Sequence, residues 1–455
     1  MRLLTALSLI LAVPVAAWSQ YDLGVHFMRG VWQANYTNPA LLPDQRVIVA
    51  LPGIQNQFSL ENITYNELIQ EQPDGSKILD IDGIIDQLED DNFLRNELDI
   101  PTFALALRIG DGAMVQLGHR VRANIATNYS RDLIALIWRG NAPFVGQEVS
   151  VGPDLMTQAY HEFFVGGALT LSDFVTLGAR VKVLNGFATA ETSSSDLRLF
   201  TSDDIYQATL TADYQLNNSG LISLDDNGED LNVEDIESLR DLFTSNFGLG
   251  IDLGASAQLG PLDLRLSVLD LGRINWNNNP ENQILKGTFQ YDGIDVDQPN
   301  LDSLDLGNIV DSLDAYFDFA STNATFNTAT PTRIFLSGTY RITESFQVGG
   351  LLYGGLFRGQ VFPALAVSAQ WDLAPFFSLG GLYSASRNGI ANLGAHTAIR
   401  LGPVQVVAAT DNLLTAFRPG DSSAAHFRLG LNLAFGRVDS NKLSGRWNQE
   451  DTFFR

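Results

Sequence analysis

Along most of this chain apolar and polar residues alternate one by one, in short runs punctuated by glycine, proline, aspartate and asparagine. A period of two is the signature of an extended strand with unlike faces. The clearest run is Ala424–Arg437: Phe427, Leu429, Leu431, Leu433 and Phe435 fall on one face, His426, Arg428, Gly430 and Asn432 on the other. Residues 102–109 and 113–127 flank the Asp111-Gly112 turn and read as a hairpin. In its second strand Val115, Leu117, Val121 and Ile125 oppose Gln116, Gly118, Arg120, Arg122 and Asn124. A second hairpin spans 161–171 and 174–185, with Arg180 and Lys182 on the polar face, and a third spans 247–259 and 262–269, with Asp252, Asp263 and Arg265 on it. Residues 46–60, 195–201, 205–216, 332–341, 346–358, 361–372, 376–384, 391–401 and 404–411 complete the set. The pattern predicts about 14 to 16 strands.

Two arginines on one strand face are costly in the dry core of a soluble sandwich and tolerable in a watery or salt-bridged lumen. The fold class expected is therefore all-β, a transmembrane antiparallel β-barrel whose greasy face meets outer-membrane lipid. No apolar run after residue 19 approaches the roughly 18 residues that a membrane-spanning helix needs. Long and short connections alternate, as in barrels with tight turns at one rim and long loops at the other. The long ones are acidic: 80–97, partly helical through Ile81, Ile84, Ile85 and Leu88, then 225–241 and 292–318, with 283–291 an extra arm in the last. Residues 132–139 read as a short amphipathic helix inside another.

Composition adds limits. Forty glycines and 27 phenylalanines suit a glycine-rich, aromatic-girdled barrel. The absence of cysteine excludes disulfides and thiolate metal sites. A net charge of −24 argues against a nucleic-acid partner. Residues 1–19 read as a signal peptide, with Arg2 before an apolar core and small residues around Ala17-Trp18-Ser19. The remainder divides into an N-terminal plug or rim segment (20–100), the barrel (101–437) and a polar tail (438–455) ending in two phenylalanines and an arginine.

The candidate lumen residues are Arg120, Arg122, Arg180, Lys182, Asp252, Asp263, Arg265, His396, Arg400 and Arg428. They either line a pore or headgroup site or pair with one another as a polar core, and the second is the commoner fate of charges in a small barrel. Lysine is scarce, with four among 28 basic residues, so the arginines do not by themselves point to phosphate. Asp225, Asn227 and Glu234, with Gly228, nearly trace a calcium loop, yet Ser223 stands where the first aspartate belongs and a solvated acidic loop is the simpler reading. The five histidines show no metal-ligand spacing, and no cofactor motif or nucleophile elbow occurs. An enzyme is not expected; His119, on the apolar face of its strand, has no evident partner. Trp32, Trp138, Trp276 and Trp371 are expected near the membrane interfaces.

Three resemblances sharpen this reading. Arg428, Gly430, Leu433 and Phe435 in the last strand resemble the closing signal by which barrel-assembly machinery recognises outer-membrane barrels. Asn38-Pro39-Ala40 resembles the N-terminal motif of FadL-like fatty-acid-transporter barrels and of PorV-like barrels of type IX secretion. The stretches Asn38-Pro-Ala-Leu-Leu-Pro-Asp44, Ile63-Thr-Tyr-Asn-Glu-Leu-Ile69, Asp132-Leu-Ile-Ala-Leu-Ile-Trp-Arg-Gly140 and Leu177-Gly-Ala-Arg-Val-Lys-Val-Leu184 resemble DUF5723, a family of Bacteroidetes-type outer membranes without assigned activity. The FadL-like resemblance implies passive uptake of small hydrophobic molecules through a plugged lumen. The PorV-like one implies instead a structural or partner-binding barrel serving surface proteins, with the acidic loops as its contact surface.

Overall fold

The computed structural model describes residues 22–437 except 62, 72–75, 173, 204–206, 225–230, 234–237, 239, 292–319 and 387–388. Within that range fourteen antiparallel strands close into a barrel. They are β1 (Gln45–Ala50 continuing as Ile54–Leu60), β2 (Asn92–Ile109), β3 (Ala113–Tyr129), β4 (Asp154–Ser172), β5 (Val175–Thr201), β6 (Asn246–Leu259) and β7 (Leu262–Trp276). The second half follows as β8 (Thr332–Arg341), β9 (Phe346–Phe357), β10 (Gln360–Ala374), β11 (Phe377–Ser386), β12 (Gly389–Leu401), β13 (Val404–Thr410) and β14 (Ala424–Arg437). Closure is made by β14 on β1, with Phe435 opposite Val47 and Arg428 opposite Gln55.

The sixteen runs counted in the sequence become fourteen because residues 195–201 and 205–216 are not wall strands. β5 is one strand of 27 residues whose far end leaves the barrel. There it pairs with Ala208–Gly220, which pairs in turn with Glu281–Tyr291, so the expected extra arm belongs to a small sheet beyond the wall. The acidic insert also divides: Ile81–Gln87 is a helix, whereas Asn92 onward is already β2. β1 and β2 thus carry the barrel into the region expected to form the rim.

The alternation becomes inside and outside. Outward-facing Leu117, Val165, Val181, Leu249, Leu352, Val367 and Leu429 are all exposed, Leu249 at 66% and Leu429 at 52%. A continuous apolar belt of this size around a closed sheet is stable only against lipid. Among the described residues no helix is long and apolar enough to cross a membrane, so the strands do the crossing. A charge placed on the belt should be costly. Leu429→Arg is expected to lose about 2 to 4 kcal/mol near the bilayer midplane, read as the shift of the urea unfolding midpoint in liposomes.

At one rim the strands join through tight turns such as Gly110 to Gly112 and Gly402-Pro403, and β1 begins and β14 ends at this rim too, Gln45 opposite Arg437. Gly110, Gly260 and Gly402 hold positive φ there, which side-chain-bearing residues rarely adopt. The other rim carries most of the long connections, including the helix Arg131–Arg139, started by Ser130, whose Oγ accepts from the Leu133 N–H at 3.0 Å.

Candidate functional site

The lumen is occupied. Residues 22–44 run inside the barrel: the short helix Leu23–Phe27 is wholly buried, and the turn Trp32–Tyr36 is buried beneath it toward the tight-turn rim. So irregular a segment cannot satisfy its own backbone, and the wall does it instead. The Asp411 carboxylate accepts from the Leu23 and Gly24 N–H groups at 2.7 and 2.9 Å. Arg265 donates to the His26 carbonyl at 2.9 Å, Gln347 to that of Phe27, Arg400 to that of Arg29 at 2.9 Å, Gln405 to that of Gly30 and Arg180 to that of Asn35. Three of the candidate cations therefore hold backbone.

Asn38-Pro39-Ala40 is seated on the wall. The Asn38 amide donates to the Ala255 and Leu266 carbonyls at 3.1 and 3.3 Å, and its oxygen accepts from the Ala40 N–H. Pro39 lies flat on glycines of β5 and β6: a Cβ added at Gly178 would sit 2.3 Å from the Pro39 carbonyl carbon, and one at Gly254 would sit 2.2 Å from Asn38 Oδ1. Glycine is needed at both because the segment approaches the strand backbone itself.

On the β2 to β8 side the charges form one buried network. Register sets it up, with Arg122 opposite Asp99, Arg120 opposite Glu162, and Arg180 opposite Asp252. Arg120 reaches Asp99 at 3.1 Å and Glu162 at 2.5 Å; Arg122 reaches Asp270 at 2.8 Å; Lys182 touches Asp252 at 2.7 Å, Asp270 and Glu162; Arg333 meets Asp270 at 2.7 Å. Arg428 joins it to the inner segment by pairing with Asp22 at 2.7 Å and Asp99 at 3.4 Å. Pairing, not an open lining, is what the structure shows for these residues. Arg265 is the exception in position, held by Asp263 at 2.7 Å near the tight-turn rim. His396 is buried under Gly24 with neither ring nitrogen bonded among the described residues.

Another part of the lumen is apolar. Inward-facing Phe335, Leu351, Tyr353, Phe357, Phe362 and Leu382 of β8 to β11, joined by Phe93 of β2 and Met156 of β4, pack with Leu23 and Phe27 of the inner helix into a single cluster. Rings touch along it: His26 stacks on Phe335 at 5.1 Å, Phe335 meets Tyr353 edge-on at 5.0 Å, and Phe362 meets Phe93 at 4.9 Å. At the long-loop mouth Arg358 bridges the lumen to Asp154 on β4 at 2.9 Å, over a residual cavity of 10 Å³ bordered by Phe93 and Phe357.

A family model matches residues 39–411, from the proline seated on Gly178 to the aspartate that caps the inner helix. The chain belongs to that family, the family of unknown function DUF5723. No curated protein matches this DUF5723 chain in sequence. Among solved structures it is similar to the toluene transporter TbuX of Ralstonia pickettii, at 8% identity and a TM-score of 0.43 over 93% of this chain and 99% of that one. It is also similar to a FadL homologue of Pseudomonas aeruginosa, at 14% identity and 0.42 over 92% and 97%. The P. putida toluene transporter TodX gives 10% and 0.41 over 93% and 98%.

Several positions of this DUF5723 barrel differ from expectation or escaped it. Of the four expected at the interfaces, Trp32 and Trp276 are buried inside, the latter donating to Thr328 at 2.8 Å, while Trp138 and Trp371 are exposed. His119 does have partners: a bulge after Pro101 turns Thr102 outward to within 2.7 Å of its Nδ1, and His161 on β4 lies 3.0 Å from its Nε2. The network acids Asp22, Asp99, Glu162 and Asp270, and the base Arg333, were not singled out from the sequence. The calcium candidates Asp225, Asn227 and Glu234 lie outside the described residues, as do residues 1–19, expected to be a signal peptide, and 438–455, expected to be a polar tail; among the described residues no three His, Asp or Glu side chains gather as a metal site.

Proposed function

We propose that this barrel sits in an outer membrane, reached by signal-peptide export, and admits small hydrophobic molecules along the apolar side of its lumen. Residues 22–44 act as the plug. The observation that carries the reading is the inward-facing apolar cluster, running from the long-loop mouth to the helix Leu23–Phe27. Contact with lipid cannot explain it, because these side chains face away from the membrane, and an aqueous pore needs the reverse lining. The state described is closed: aromatic rings and Arg358 fill the route, so a ligand enters by displacing side chains. The ion network is buried and internally paired, so it offers no aqueous path.

The test is entry of the apolar dye N-phenyl-1-naphthylamine into cells whose outer membrane otherwise holds it back. Expression of the protein is expected to raise entry several-fold, and Leu382→Arg, which puts a cation on the apolar wall, to return it to background while the folded band persists on a gel. Equal entry with and without the protein would sink the reading.

A further inference from the structure

A cation stands on the lipid-facing wall itself. On β7 the alternation that turns Leu264 and Leu266 outward shifts at the bulge before Leu271, and beyond it Leu271, Arg273 and Asn275 are exposed. Arg273 is in register with Leu249, and Leu249 with Val183, so the three share the outer face. With Phe247 and Leu271 they border a groove of about 620 Å³ on the outside of β5 to β7, floored by Gly248 and Gly272. The exposed cations Arg131, Arg139, Arg198 and Lys286 of the long-loop side each hold an aspartate or glutamate. Arg273 has no hydrogen-bond or ion-pair partner among the described residues. Its height on the wall is set by β6. Leu249 lies ten residues from Leu259 at the tight-turn end of that strand, roughly 33 Å along it and, at a tilt of about 40°, roughly 25 Å along the barrel axis. That is the height of the apolar band, so the guanidinium stands at the level of lipid headgroups.

We infer that this groove holds an anionic, phosphate-bearing lipid of the leaflet at the long-loop rim, its phosphate on Arg273 and an acyl chain along Val183, Leu249 and Leu271. A guanidinium takes two phosphate oxygens at once, and Asn275, next on the same face, brings an amide donor to the headgroup. The two halves of the groove ask for an anion and a hydrocarbon together. A soluble anion offers nothing to the apolar walls, and an uncharged lipid nothing to Arg273. A chain of net charge −24 repels anionic headgroups in general, so an unpaired cation at headgroup height decides where one docks. The inner side of the same two strands carries Asp252 and Asp270 of the ion network, and the groove lies outside the lumen, apart from the uptake route.

The wall supplies its own control. A second outward groove, about 720 Å³ and bordered by Leu352, Leu365 and Val367, has no charged side chain among the described residues that line it. Full-length protein is placed in phosphatidylcholine nanodiscs doped with phosphatidylglycerol that carries a photoreactive diazirine in its acyl chain, irradiated, and mapped by mass spectrometry. Labelling of the peptides holding Leu249 and Leu271 is expected to exceed that of the peptide holding Leu365 and Val367. Arg273→Gln breaks no bond within the protein and should cut the first labelling about tenfold, whereas Arg273→Lys should retain part of it. Diacylglycerol with the same photoreactive chain and no phosphate should label both grooves alike. Equal labelling of the grooves by phosphatidylglycerol, no loss in Arg273→Gln, or the same preference with diacylglycerol would each overturn the inference. None of these readouts depends on whether the barrel carries hydrophobic cargo.

Discussion

Asp270→Asn should unfold this barrel more readily than any change on its surface. The carboxylate is shared by Arg122, Lys182 and Arg333, all buried, so its loss leaves Arg333 without an ion-pair partner and takes a close one from Arg122, which keeps Glu162, and from Lys182, which keeps Glu162 and Asp252. Removing one partner of a buried pair typically costs about 3 to 5 kcal/mol, since the remaining charge has already given up its water. Asparagine keeps the shape and tolerates the left-handed backbone at this position, where φ is 61°, so the loss reports charge and not strain. Asp263→Asn is the matched control: it too holds an arginine, but at the rim where water can take over, and about 1 kcal/mol or less is expected. Urea titration of both variants in liposomes decides it. Equal, small losses would mean that the network is bathed in lumen water and that its pairs are replaceable.

How far this network could be read from the sequence depended on strand parity. Arg120, Arg122, Arg180, Lys182, Asp252 and Arg428 lie in runs where strict alternation assigns a face, and the structure puts each inside. Their acids were hidden by interruptions. Asp99 precedes the Pro101 bulge and follows an acidic stretch that reads as helix; Glu162 sits beside Phe163-Phe164, where alternation fails; Asp270 lies one residue beyond the apparent end of its strand, on a register shift against Ile251 and Leu253. A bulge changes parity by one residue, which is enough to misplace every side chain after it. The apolar side of the lumen was hidden for a related reason. When both faces of a strand are greasy, as with Leu351 and Leu352 on β9, alternation has no contrast from which to assign inside and outside.

The second large effect concerns the seat of Asn38-Pro39-Ala40. Gly178→Leu places carbon where the Pro39 backbone lies, 2.3 Å from the position of its Cβ, and the contact is with main chain on both sides, so no rotamer relieves it. Two responses are open, a strained strand or a displaced inner segment. The strand is held by continuous ladders to β4 and β6, whereas the segment is held by individual side-chain bonds, so the segment gives way. Overpacking of this kind costs about 1 to 3 kcal/mol, which at a factor of ten per 1.4 kcal/mol raises the displaced population roughly five- to 150-fold. The protein has no cysteine, so Ala34→Cys, buried in the inner segment, is a clean reporter. Its labelling by a water-soluble thiol reagent should accelerate by that factor in Gly178→Leu. It should remain slow in Gly381→Leu, where the added side chain points outward into open space. The same slow labelling in both variants would show the seat on Gly178 to be incidental to holding the inner segment, and the strand itself to absorb the strain.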